Sequence, residues 1–117
     1  MKRLFRSLRH AGGGIVYTFR HERNFQVELV MAFLVGVLML WLPVSAGEQT
    51  VLILAIVLVL ALELINTAVE RVMDILKPRV HPYARVVKDV MAGSVFVASF
   101  GALILGVLIL LPYFLPK

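Results

Sequence analysis

Cysteine is absent from this 117-residue chain. A disulfide framework, a thiolate nucleophile and a cysteine-based metal site are therefore excluded. Charged residues are scarce as well, at 16% of the chain, whereas hydrophobic residues make up 61%. Soluble domains average roughly 45–50% apolar residues, and here the excess is concentrated in three long blocks. The composition predicts a single domain of an all-α integral membrane protein.

Basic residues are missing from a long central stretch, because no lysine or arginine lies between residues 24 and 70. Six of the twelve lie before residue 24, five lie from Arg71 to Lys88, and the last is Lys117. Basic residues mark the cytoplasmic side of membrane proteins, so we expect the N-terminus and the second loop in the cytoplasm. The 45–49 turn and the C-terminus then face outward. The net charge of +5 fits this orientation and contact with anionic lipid, and it does not indicate nucleic-acid binding.

Three spans and one surface helix account for most of the chain. The spans are predicted at residues 27–44, 50–69 and 90–111, and 18 residues cover ~27 Å of the roughly 30 Å hydrocarbon core. Residues 1–21 carry apolar side chains on one helical face and basic ones opposite, which is typical of an amphipathic helix on a membrane. Gly12–Gly14 is expected to interrupt this helix, since each glycine costs ~1 kcal/mol relative to alanine. The interruption would be a hinge or a close backbone approach to a ligand.

A stripe of small residues follows one face of the third span, at every fourth position. Its members are Ser94, Ala98, Ala102 and Gly106. Small side chains let another helix approach closely in a membrane. The stripe therefore predicts helix–helix packing, without fixing the number of subunits.

Polar residues gather on one face at the end of the second span. Taking ~100° per residue, Glu63, Asn66, Glu70 and Asp74 fall within roughly 80° of arc. The twelve residues before Glu63, from Val51 to Leu62, carry no polar side chain. A carboxylate near lipid is costly and marks a functional site in most membrane proteins. We therefore expect this face to form the wall of an active site at the membrane surface.

Oxygen ligands and basic residues together indicate phosphate chemistry. Carboxylates without cysteine suit Mg²⁺, which binds through one or two carboxylates and substrate phosphates. Lysine and arginine stabilise phosphoryl oxygens, and phosphoryl transfer depends mainly on positioning and charge neutralisation. A carboxylate slightly below the interface is placed to act as general base for a lipid hydroxyl. The residues thus predict a membrane enzyme that moves phosphate onto or off a lipid alcohol.

Two other interpretations stay open at this point. Each acidic residue could instead pair with a nearby base, such as Glu70 with Arg71 or Lys77, although Glu63 has no basic residue within a turn of its own helix. The chain could also be a small proton or cation transporter, or a non-catalytic membrane subunit, with Glu63 as a relay. A transport path would favour polar residues in the outer half of the spans, and those are almost absent.

Two motifs carry a resemblance to a known family. The segment E-L-I-N-T-A-V-E-R-V-M-D is followed by V-H-P-Y-A-R-V-V-K-D-V-M-A-G-S-V, and upstream lie H-A-G-G-G-I and R-H-E-R-N-F-Q. Together they resemble the prokaryotic diacylglycerol kinase family over nearly the whole chain. The resemblance implies a homotrimer of three-span subunits with a surface helix, which phosphorylates a lipid using ATP and Mg²⁺.

The resemblance also implies roles for individual residues. Glu63 corresponds to the catalytic carboxylate that accepts the proton of the lipid hydroxyl, and Asn66 corresponds to the asparagine that positions it. Glu22 and Glu70 correspond to the glutamates that hold the metal ion. The positions implied at the nucleotide are Arg3, His10, Arg79, Val80, His81, Lys88 and Asp89.

Lipid choice depends on smaller details of the same motifs. Glu28 corresponds to a further acidic position near the active site, where it is expected to contact the lipid together with Glu63 and Ala92. N-T-A-V-E, H-P and H-A-G-G-G-I resemble the branch that phosphorylates undecaprenol. The diacylglycerol branch more often has N-S-A-I-E and a serine at the position of Ala92. We therefore expect undecaprenol as substrate, with diacylglycerol as the alternative.

Overall fold

The computed structural model describes residues 1–76 and 82–116, and these residues form helices joined by short connections. The helices are α1 (Lys2–His21), α2 (Arg23–Trp41), α3 (Ala46–Leu76) and α4 (Tyr83–Leu110), and a 3₁₀ turn follows at Leu111–Tyr113. No strand occurs within the two described ranges. Helices α2, α3 and α4 are each long and apolar enough to cross a membrane. The expected all-α membrane fold is therefore confirmed.

Helix α1 runs without a break through all three glycines. The predicted interruption at Gly12–Gly14 is therefore wrong: the backbone ladder continues, and the Thr18 hydroxyl also donates to the carbonyl of Gly14 at 3.0 Å. A Cβ added at any of the three glycines would meet no neighbouring atom of the described residues within 4 Å, so they mark no close approach to another described segment. The apolar side chains expected to face lipid, such as Leu4, Leu8 and Phe19, are exposed. The position of α1 on a membrane stays a prediction.

Glu22 forms the corner between α1 and α2. Its backbone is extended, with φ −120° and ψ 112°, which interrupts the helical dihedrals for a single residue. The corner is fixed from both sides, because the Glu22 N–H donates to the carbonyl of Thr18 at 2.8 Å and the Gln26 side-chain amide donates to the carbonyl of Phe19 at 2.7 Å. As a result Glu22, the first acidic residue of the chain, belongs to neither helix.

The start of α3 is capped and joined to the C-terminal turn by side-chain hydrogen bonds. The Glu48 N–H donates to Ser45 Oγ at 3.1 Å, and the Ser45 N–H donates to Glu48 Oε1 at 3.0 Å, which is a reciprocal capping box. The Tyr113 hydroxyl donates to the same carboxylate. The turn expected at 45–49 is therefore shorter than predicted, because Ala46 already begins α3.

Helix α3 is the central element of the fold. Its 31 residues span ~46 Å at 1.5 Å per residue, so it extends beyond a ~30 Å hydrocarbon layer. It packs against both α2 and α4. The tightest apolar packing lies near the start of α3, where Val44, Leu52 and Leu110 are buried together. Of the polar face of α3, Glu63 and Asn66 are buried and Asp74 is exposed.

Candidate active site

Glu63 is the most deeply buried charged residue of the described chain, with 1% of its surface exposed. Neither of its carboxylate oxygens has a hydrogen-bond partner among residues 1–76 and 82–116, and the same is true of Oε2 of Glu28 and Oδ1 of Asn66. A buried polar atom without a partner costs free energy. Such atoms are retained where a substrate or ion completes the arrangement, so we regard this cluster as the candidate active site.

Three carboxylates from three segments of the chain lie within electrostatic range of Glu63. Glu22 at the corner and Glu70 on α3 both act electrostatically on Glu63, and Glu63 acts in turn on Glu28 of α2. Asn66 lies between the acidic residues of α3 and donates from Nδ2 to Glu70 Oε1 at 3.2 Å. These interactions place Glu22, Glu28, Glu63, Asn66 and Glu70 in one region of the described chain, and the roles expected for them stay predictions.

Two basic residues border the acidic cluster. Arg71 places Nη2 2.9 Å from Glu22 Oε1 and Nη1 3.6 Å from Asp74 Oδ2. Lys88 of α4 places Nζ 3.2 Å from Asp74 Oδ1. In the described part of the chain Arg71 therefore binds Glu22 and Asp74, and not Glu70 as one open interpretation supposed. Lys77, the other base considered for Glu70, lies outside the described residues.

The remaining predicted site residues have different outcomes. Arg3 and His10 are exposed on α1, and Asp89 is exposed near the start of α4. No contact within the described ranges joins these three to the acidic cluster, so their roles at the nucleotide stay predictions. The positions Arg79, Val80 and His81 lie outside the described residues.

An apolar groove of about 840 Å³ lies between α2 and α4, with α3 as its floor. Glu28 and Ala92 line one end, and Leu111 and Phe114 line the other. The floor consists of Leu52, Ala55, Ile56 and Val59. Since Glu63 follows Val59 by four residues, it continues the same face of α3. The groove therefore leads along the membrane-spanning helices to the acidic cluster.

The small-residue stripe of α4 contributes to this groove through Ala102 and Gly106. A Cβ added at Gly106 would meet no neighbouring element within 4 Å. The close helix contact predicted from the stripe is therefore not made at Gly106 by a helix of the described chain. At this depth the small residues widen the groove.

The residues of the cluster fit a hard cation bound together with phosphate. Among the described residues, no three histidine or acidic side chains are grouped as a ready-made metal site. Glu22 and Glu70 each use one carboxylate oxygen in a hydrogen bond, which leaves the second oxygen of each, and Mg²⁺ prefers oxygen ligands, with only one or two carboxylates and the rest from water or phosphate. Glu22 and Glu70 can supply those two carboxylates.

Some parts of the site have no counterpart in the sequence reasoning. Tyr17 was not predicted as a site residue, but its hydroxyl accepts a hydrogen bond from Arg71 Nε at 2.8 Å. Thr67 is buried beside Glu63 and donates to its carbonyl at 3.0 Å. Phe25 is 2% exposed near the corner. The Arg71–Tyr17 contact joins residues 54 positions apart, and no local pattern reports such a pair.

Comparison with known proteins gives consistent matches. A sequence model of prokaryotic diacylglycerol kinase matches residues 9–110. An undecaprenol kinase of Bacillus subtilis is 39% identical over 112 residues, which cover 96% of this chain and 91% of that protein. A diacylglycerol kinase of Synechocystis sp. is 37% identical over 107 residues, covering 91% of this chain and 61% of that protein. A diacylglycerol kinase of Escherichia coli is 28% identical over 112 residues, covering 96% and 92% respectively.

Proposed function

Because the chain belongs to the prokaryotic diacylglycerol kinase family and is a lipid kinase of the membrane, we propose that it phosphorylates undecaprenol with ATP. The observation that carries the proposal is the position of Glu63. Its unpartnered carboxylate is buried on the same face of α3 that forms the floor of the apolar groove. A lipid tail in this groove would bring its alcohol to the acidic cluster.

In this proposal Glu63 is the general base. A base has to lie within hydrogen-bond reach of the proton that it removes. Glu28 lines the end of the groove, and Glu63 lies one turn beyond Val59 on the floor helix, so a lipid hydroxyl that passes the end of the groove would reach Glu63. Glu63 accepts the hydroxyl proton as the lipid oxygen forms its bond to the γ-phosphorus and the bond to the ADP oxygen breaks. Asn66 holds Glu70 through its amide and keeps its own Oδ1 directed into the cluster. General-base catalysis of this kind contributes ~10²–10⁴-fold in rate.

The phosphate side of the site is assigned to the groups around Glu63. Glu22 and Glu70 would hold Mg²⁺, which when bound neutralises phosphate oxygens. Lys88 lies near the start of α4, where it forms an ion pair with Asp74 of α3. At this position it would offset negative charge on the transferred phosphate. Asp89, Arg3, His10 and the segment Arg79–His81 complete the proposed nucleotide site.

The preference for undecaprenol has two supports. The Bacillus subtilis relative named as an undecaprenol kinase is 39% identical over 96% of this chain. The groove is also long: along α4 it extends from Ala92 to Leu110, ~27 Å at 1.5 Å per residue, so it suits a long chain. Diacylglycerol is the alternative substrate, since other relatives are diacylglycerol kinases.

We also propose that three copies of the chain assemble, with the N-terminus and the site on the cytoplasmic face of the bacterial cell membrane. The support for the orientation is the asymmetry of basic residues. The support for assembly is the large amount of apolar surface that one subunit leaves exposed, including Phe33, Trp41 and Phe96. Lipid covers part of this surface and neighbouring subunits cover the rest.

A mixed-lipid assay tests the proposed function. The detergent-solubilised protein receives ATP labelled at the γ-phosphate, together with undecaprenol and diacylglycerol in equal amounts, with and without Mg²⁺. We expect Mg²⁺-dependent label mainly in undecaprenyl phosphate. Label mainly in phosphatidic acid would assign the alternative substrate. Absence of label from both lipids would overturn the kinase assignment for this site.

A further inference from the structure

Arg71 joins three segments of the chain at the edge of the acidic cluster. It lies on α3, next to Glu70, but its guanidinium reaches away from Glu70. Nε donates to the Tyr17 hydroxyl of α1 at 2.8 Å, and Nη2 donates to Glu22 Oε1 at 2.9 Å. Nη1 lies 3.6 Å from Asp74 Oδ2. Each nitrogen of the guanidinium therefore has a partner within the protein.

Glu22 needs such a partner because of its position. It is a single extended residue between two helices, and its flexible side chain shares the cluster with the like-charged Glu63 and Glu70. Like charges at short range repel, so an unsupported Glu22 would turn outward to solvent. The guanidinium offsets this repulsion and fixes the carboxylate by a charge-assisted hydrogen bond.

Only one oxygen of Glu22 takes part in this bond. Arg71 engages Oε1, and Oε2 stays available to a cation. The Tyr17 ring also lies under the guanidinium, 5.7 Å from its carbon to the ring centre, and the ring stacks on His21 at 4.1 Å. The same arginine thus connects the surface helix α1 to the carboxylate at the corner.

We propose that Arg71 is a positioning residue for the divalent cation: it holds Glu22 with one oxygen free, and through Tyr17 it makes this arrangement depend on the docking of α1. The inference rests on the proposed function, in which Glu22 is a cation ligand. Arg71 acts through Glu22 in this proposal, and the double-mutant comparison below distinguishes this role from direct contact with phosphate. Loss of an outer partner of a metal ligand weakens metal binding by roughly 10–100-fold.

The test measures cation binding directly, by electron paramagnetic resonance of Mn²⁺ with the full-length protein and a non-hydrolysable ATP analogue. We expect Arg71→Ala to weaken Mn²⁺ binding about 10-fold and Arg71→Lys to weaken it less, since one ammonium can reach Glu22 but cannot also hold Tyr17 and Asp74. Tyr17→Phe should weaken it by a smaller factor. Arg20→Ala is the matched control, because Arg20 is an exposed arginine of α1, and it should bind as the wild type does.

A double-mutant comparison separates a positioning role from direct binding. In a Glu22→Gln background, Arg71→Ala should cause little further loss of Mn²⁺ binding, because its effect passes through Glu22. In steady-state kinetics, Arg71→Ala should raise KM for the magnesium nucleotide and leave KM for the lipid unchanged. Thermal unfolding of each variant verifies the fold, and Arg71→Lys carries the test if Arg71→Ala does not fold.

Two outcomes would overturn the proposal. One is an Arg71→Ala protein that folds and binds Mn²⁺ as tightly as the wild type. The other is an equal loss from Arg71→Ala with and without Glu22→Gln, which would make Arg71 a direct ligand of the nucleotide. Failure of the proposed function gives a different result, namely wild-type protein that binds Mn²⁺ and nucleotide but phosphorylates no lipid.

Discussion

Filling the groove at Gly106 should weaken binding of long lipid alcohols while leaving the chemistry intact. Gly106 lines the groove, 14 residues from Ala92 and hence ~21 Å further along α4. A Cβ at Gly106 would meet no neighbouring element of the described chain within 4 Å, so a larger side chain there would extend into the groove. Its four side-chain carbons would occupy space that the lipid tail otherwise fills.

The size of the effect follows from the apolar contact that is lost. If the new side chain displaces about 50–80 Å² of contact with the tail, the loss is roughly 1.3–2 kcal/mol at about 25 cal/mol per Å². This corresponds to a rise in KM for undecaprenol of about 10- to 30-fold. KM for a short-chain alcohol that does not extend ~21 Å from the cluster should not change.

The assay compares KM for long- and short-chain alcohols in the wild type, Gly106→Leu and Gly101→Leu. Gly101 is the matched control, because a Cβ there also meets no neighbouring element within 4 Å and Gly101 does not line the groove. An unchanged KM for the long alcohol in Gly106→Leu would refute the placement of the tail. A change of oligomeric state with a fall in kcat for both alcohols would also refute it, since the groove would then receive a helix of a neighbouring subunit.

Two further predictions concern the nucleotide side and the cap at the start of α3. Lys88→Met should raise KM for the magnesium nucleotide about 10-fold, in line with the loss of a charged contact. Lys2→Met is the control, because Lys2 lies on the exposed start of α1, and it should leave this KM unchanged. Equal KM values for Lys88→Met and the wild type in a coupled ADP-release assay would show that Lys88 does not belong to the site. Ser45→Ala breaks the capping box with Glu48 and should destabilise the protein by ~1 kcal/mol. Thermal unfolding in detergent should then show a lower midpoint, with unchanged KM values. An unchanged midpoint would show that this cap contributes nothing to stability.

The sequence predicted those features that depend on local pattern. The three spans follow from long apolar runs, and the observed helices begin and end within a few to several residues of the predicted spans. Glu63 was singled out because a carboxylate that follows twelve apolar residues is costly near lipid and therefore indicates a functional site. Glu22 was grouped with Glu63 and Glu70 through the motifs that resemble the kinase family. These signals are all local or depend only on order along the chain.

The features that were missed depend on how helices pack. Arg71 was considered as a partner of its neighbour Glu70, but it reaches Glu22, 49 positions away, because α1 and α3 meet at the corner. The glycines of α1 were expected to interrupt the helix because glycine has a low helix propensity. The helix continues because helix formation is cooperative, and the flanking turns sustain it. The groove was not predicted, because an empty space between α2 and α4 has no signature in either helix alone.

The central claim is that Glu63, at the head of the groove, removes the proton of the lipid alcohol. The most direct measurement is the single-turnover rate of phosphate transfer from ATP to undecaprenol in Glu63→Gln, which keeps the size of the side chain and removes the base. Glu48→Gln, a carboxylate near the start of the same helix, serves as the matched control. We predict a loss of about 10²–10⁴-fold in Glu63→Gln, with nucleotide binding and oligomeric state retained, and near-normal transfer in Glu48→Gln. Transfer by Glu63→Gln at close to the wild-type rate would contradict the account.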